Sequence, residues 1–90
     1  MSFAIGAKRI LTTAAPVQLP SQAVGSSGCF LWANPSNKEK LYLSTSAVLP
    51  NEEQRITLIP GEGKRLFPAN LNQIYAVVEA AGDIVEWATS

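Results

Sequence analysis

The sequence predicts an all-β domain, a small antiparallel β-sandwich or partly open barrel of about seven short strands. Three observations carry that expectation. Short apolar or alternating runs recur at spacings near ten residues, each closed by Gly, Pro, Asn or Ser. No stretch keeps a helical period. The apolar fraction, 47%, is enough for a core in a 90-residue chain, which at this length forms one domain.

Residues 1–15 are weakly patterned. Phe3, Ile5 and Ala7 alternate with small residues, and Ile10 and Leu11 follow the basic pair Lys8 and Arg9. The segment reads either as a first strand or as an arm that orders on a partner. Residues 16–90 then form the sandwich. Pro16 and Pro20 bracket Val17 and Leu19, which excludes helix and suits an edge strand. Ser21 to Gly28 is a loop. Cys29 to Ala33 is apolar throughout and reads as a strand buried on both faces. Asn34-Pro35-Ser36-Asn37 breaks it.

From Lys40 to Ser46 the pattern alternates, with Leu41, Leu43 and Thr45 on one face and Tyr42 and Ser44 on the other. The closeness of the two runs predicts a hairpin of Cys29–Ala33 against Leu41–Thr45. Arg55 to Ile59 is a further strand, with Ile56 and Leu58 sharing a face. Pro60-Gly61-Glu62-Gly63 turns the chain into Lys64–Phe67. An Asn70-Leu71-Asn72 corner leads to Ile74–Ala80. Ala81-Gly82 then separates that run from Ile84–Ala88, which predicts a closing hairpin. Within it Ile74, Ala76 and Val78 share one face, and Val85 and Trp87 point to the core, with Trp87 covering it.

Composition removes most chemistry. The chain has no histidine and one cysteine. The Ser-His-Asp and Cys-His arrangements, and structural zinc, therefore lack their parts. Cys29 reads as a buried thiol, with no base to activate it. Glu52 and Glu53 are adjacent loop carboxylates, and neighbours on a strand would point apart, which makes a poor acid/base couple. Gly61-Glu62-Gly63-Lys64 fails as a phosphate loop: Leu58 and Arg65 stand where Gly and Ser or Thr are needed. No catalytic residue, cofactor or metal site is expected, and an enzyme is the least supported class.

Seven basic and seven acidic residues give a formal charge of zero, which argues against nucleic acid as the main partner. No run approaches membrane-spanning length, and no secretory signal is read at the N-terminus. Residues 1–50 hold four basic residues against Glu39, and residues 51–90 hold three against six acids. Opposite poles would steer partner contacts; otherwise these charges simply follow the loops. Charged residues are only 16%, which leaves a surface poorly protected from association. Exposed aromatics mark interfaces, and Trp32 and Tyr42 on paired strands are candidates for one. With Phe3, Ile5, Lys8 and Arg9 of the N-terminal segment they form the expected partner-binding set.

Leu58-Ile59-Pro60-Gly61-Glu62, Leu66-Phe67, Asn70-Leu71-Asn72-Gln73-Ile74-Tyr75 and Gly82-Asp83-Ile84-Val85-Glu86-Trp87 together resemble a small β-module of tailed-bacteriophage virion proteins. Val17-Gln18-Leu19-Pro20, Cys29-Phe30-Leu31 and Leu41-Tyr42-Leu43-Ser44-Thr45-Ser46 are similar to its first half, so that the likeness spans about Val17 to Ala88. The resemblance implies a capsid decoration, or cement, protein. Such a protein is assembled in the host cytoplasm, sits on the capsid exterior and binds the major capsid protein or other virion subunits. It implies a homo-oligomer, with a trimer favoured, and an N-terminal arm that adds a strand to a neighbour. The alternative is a binding module of a phage tail or fibre that recognises a host-surface glycan.

Overall fold

The computed structural model describes residues 4–13, 15–45 and 55–89. Eight strands form in them: β1 (Ala4–Arg9), β2 (Val17–Gln18), β3 (Cys29–Ala33), β4 (Leu41–Ser44), β5 (Ile56–Leu58), β6 (Gly63–Leu66), β7 (Tyr75–Val78) and β8 (Ile84–Thr89). They make two four-stranded sheets, sheet A in the order β1-β8-β3-β6 and sheet B in the order β2-β7-β4-β5. Every pairing is antiparallel. The expected antiparallel β-sandwich is the fold, with one strand more than the seven or so expected.

The pairing is nested. β1 lies beside β8, β2 beside β7, β3 beside β6 and β4 beside β5. This is one long hairpin, β1–β4 against β5–β8, rolled up so that β8 also meets β3 and β7 also meets β4. An eight-stranded jelly roll has this connectivity. Only β4 and β5 are sequential neighbours in one sheet; every other connection passes from one sheet to the other.

Two expected hairpins are therefore overturned. Cys29–Ala33 lies in sheet A and Leu41–Ser44 in sheet B. The same holds for β7 and β8, so the Ala81-Gly82 turn is a corner between sheets. The physical reason lies in the apolar core-facing sides of these strands: with β3 and β8 in one sheet and β4 and β7 in the other, those sides are buried against each other across the sandwich. Nor is β3 buried on both sides. Cys29, Leu31 and Ala33 point into the core, while Phe30 points out and is 39% exposed.

Alternation places the core as the sequence implies. Leu31, Ala33, Val85 and Trp87 from sheet A meet Leu41, Leu43, Leu58, Ala76 and Val78 from sheet B, with Ile10, Leu19, Leu71 and Ile74 closing the ends. Truncating a buried leucine of this kind to Ala costs about 2–5 kcal/mol. Residues 4–9 take the first-strand alternative. β1 pairs with β8 along its whole length, from Ala4 opposite Thr89 to Arg9 opposite Ile84. Residues 1–3 lie outside the described residues.

The two ends of the sandwich differ. At one end the connections 34–40, 59–62 and 79–83 are tied closely together. The buried Asp83 carboxylate accepts the backbone N–H groups of Lys38 (3.0 Å) and Glu39 (3.1 Å). Asn37 exchanges two bonds with the backbone of Ile84: its Nδ2 donates to the carbonyl (2.8 Å) and its Oδ1 accepts from the N–H (2.7 Å). Gly82 N–H donates to Ile10 O, and Arg9 Nη1 to Gly82 O. Lys38 of the first half thus sits beside Asp83 of the second. Nested pairing interleaves the halves and removes the opposite poles.

At the other end the connections are longer. The Asn70-Leu71-Asn72 corner is a single 3-10 turn, Leu71–Gln73, with a capping box between Asn70 and Gln73. It is stitched to the 19–28 loop: Asn70 Oδ1 accepts from Gln22 N–H, Leu71 N–H donates to Gln22 O, and Val24 N–H donates to Ala69 O.

Candidate functional site

The outer face of sheet A follows from register, because residues opposite each other in an antiparallel pair share a face. Ile5, Ala88, Phe30 and Arg65 form one row across all four strands. Ala7, Glu86, Trp32 and Gly63 form the next. Arg9 and Ile84 begin a third.

Small residues leave the aromatic pair in relief. A Cβ on Gly63 would lie 2.6 Å from the Phe30 ring, so the ring spreads across β6 over the space that Gly63 leaves open. The Phe30 and Trp32 rings stand 5.9 Å apart at 34°. The Arg65 guanidinium lies 6.0 Å from the Phe30 centroid and also donates to Ser27 O (2.8 Å). Asn34 Nδ2 donates to Glu86 Oε1 (2.7 Å), which holds that carboxylate. At the β1 edge Ile5 is 68% exposed. The face therefore has an apolar, partly aromatic middle and tethered charges around it, the composition of an interface patch.

Of the expected partner-binding residues, the structure brings Ile5, Arg9 and Trp32 to this one face. Phe3 lies outside the described residues. Lys8 falls opposite Val85, a core residue, and so lies on the inward side of β1, apart from Arg9. Tyr42 is on the other sheet and only 8% exposed; the Arg55 guanidinium covers its ring at 4.0 Å. Tyr42 and Trp32 thus do not form a common surface, because their strands do not pair. Phe30 was missed, although it stands two residues from Trp32 and must share its side of a strand.

Burial pushes the Cys29 thiol upward, against weaker lowering by a backbone hydrogen bond at Leu66 and by the charge of Arg65. A buried, protonated thiol is a poor nucleophile. Among the described residues no three His, Cys, Asp or Glu side chains gather as metal ligands. Nor is any helix among them long and apolar enough to cross a membrane.

A cavity of about 680 Å³ opens between the sheets at the long-loop end. Leu43, Ile56, Leu66 and Ile74 supply its apolar wall, and Gln18, Asn72 and Gln73 stand at it with amide side chains. None of the expected partner-binding residues among the described ones lines it. No family model, curated protein or solved structure matches the chain.

Proposed function

We propose that the chain is a non-enzymatic structural protein that docks onto a larger assembly through the outer face of sheet A. The observation that carries the reading is the Ile5–Phe30–Trp32 surface: a sheet face with an aromatic pair in its middle, small residues around it and an open strand edge beside it. Such an edge can accept a further strand.

The sequence resemblance supplies the assembly: the outside of a tailed-bacteriophage capsid, where the chain binds capsid subunits and reinforces the shell. β1 is already paired with β8, so its free edge, rather than a loose arm, is what a neighbour would meet. A homo-oligomer, with a trimer favoured, suits capsid symmetry. Imaging of purified particles tests the reading. Density for this chain on the shell exterior is expected, with sheet A turned toward the capsid subunits. Density confined to the tail, or particles lacking the chain, would reject it.

A further inference from the structure

The cavity at the long-loop end has a chemistry of its own, separate from the docking face. Its volume, about 680 Å³, falls within the roughly 300–1,000 Å³ of small-ligand sites. Among the described residues no carboxylate, ammonium or guanidinium lines it. An anionic or cationic ligand would meet no opposite charge among these described lining residues to offset its lost hydration.

The polar groups present are neutral and partly committed. Gln18 donates Nε2 to Asn72 O (2.8 Å), which fixes the amide and leaves Oε1 as an acceptor. Gln73 Oε1 accepts from Ala69 N–H (2.8 Å) and Asn70 N–H (3.2 Å), which leaves Nε2 as a donor. The Asn72 side chain makes no hydrogen bond among the described residues, although its backbone N–H is held by Asn70 Oδ1. Two amides, Gln18 and Gln73, are thus positioned by the fold with an acceptor and a donor to spare, and the Asn72 amide adds a third polar group beside them. A purely apolar ligand would strand them.

Phe67 supplies the stacking surface. It is 70% exposed, so it adds little to the core. Its ring is nevertheless seated: a Cβ on Gly28, at φ 79°, would lie 2.7 Å from Phe67 Cδ1. Tyr75 also borders the cavity. An aromatic plane beside amides, over an apolar wall and with no charged group among the described lining residues, suits one ligand chemistry. A neutral pyranose has an apolar C–H face for the ring and hydroxyls that both donate and accept.

We infer that this cavity is a binding site for an uncharged sugar, with the pyranose ring against Phe67 and its hydroxyls on Gln18, Asn72 and Gln73. The side-chain NH2 groups of these amides report on it directly by NMR. Titration with methyl glycosides of glucose, galactose, mannose and N-acetylglucosamine is expected to give saturable shifts of those signals for at least one sugar. Phe67→Ala, at an exposed position, retains the fold and weakens that binding about tenfold, the loss of one stacking contact. Asn72→Ala, which keeps the backbone bond to Asn70, weakens it as well. Three results would overturn the inference: no saturable shift with any of the four glycosides, unchanged affinity in both variants, or saturation by 1-octanol with no response to the sugars. The docking face lies elsewhere, so each of these outcomes leaves that reading standing.

Discussion

Gly6 faces the indole of Trp87. A Cβ built on Gly6 would lie 2.5 Å from Trp87 Cζ2 and 2.6 Å from Cε2, and the two residues are directly opposite in the β1–β8 register. The largest side chain of the last strand therefore occupies the space that the first strand leaves empty. This relationship joins the two ends of the chain.

Gly6→Ala is accordingly expected to destabilise the domain. The displaced ring is buried within the core, so it has little room to move aside. Overpacking of this kind costs about 1–3 kcal/mol. Urea titration followed by Trp fluorescence measures it. An unchanged midpoint would mean that β1 is not anchored on Trp87.

Deleting residues 2–10 goes further. It would remove the partner of β8 along six positions and take Ile10 from the core. Circular dichroism is expected to show loss of the cooperative β-sheet transition. An arm that orders only on a partner would leave that transition intact.

Asp83 ties the short-loop end. Asp83→Ala leaves the Lys38 and Glu39 N–H groups without their acceptors. A cost of about 1–3 kcal/mol is expected, read as a lower Tm. Hydrogen exchange should rise first at residues 38 and 39, and protection unchanged there would contradict the role.

The docking face is tested by Ile5→Lys combined with Phe30→Lys. Both side chains point outward, so the fold should survive, with a Tm close to that of the parent. Association with shells, or self-association in light scattering, should fall at least several-fold, because a charge at the centre of an apolar patch must be desolvated on docking. Equal association by the variant would place the interface elsewhere.

Cys29 gives a pH signature. Its thiol is raised by burial in the folded state, so folding favours the protonated form. That contribution is fully present below the unfolded thiol value of about 8.5 and declines as pH rises toward the higher folded value. Denaturation midpoints should fall above about pH 8.5, and Cys29→Ala should flatten that slope. In native protein at pH 8 the thiol should resist alkylation until the chain unfolds.

The strands after residue 15 were legible from the sequence, and so was most of the side each residue faces, whereas the sequence of β1 allows both a strand and an arm. Leu41 and Leu43, Ile74, Ala76 and Val78, and Val85 and Trp87 are core residues as alternation required. Period two is a local property, readable from a few neighbours. Cys29–Ala33 shows its limit: five apolar residues carry no alternation, and burial on both faces was the wrong reading of Phe30, whereas Trp32 points outward and is half-buried. Tyr42 shows another. Its direction was readable, but its cover by Arg55 was not, because a residue thirteen positions away supplies it.

What the sequence determined by itself is the all-β class, the strand positions after residue 15, the turns at Asn34–Asn37, Pro60–Gly63 and Ala81–Gly82, and the absence of histidine-based chemistry. What only the tertiary structure decided is which strands pair. A Gly turn between two alternating runs serves equally for a hairpin in one sheet and for a corner between two, because both satisfy the same local backbone. The choice rests on burial across the sandwich, between residues as distant as Gly6 and Trp87. That same long-range pairing brings Ile5, Phe30 and Trp32 onto one face.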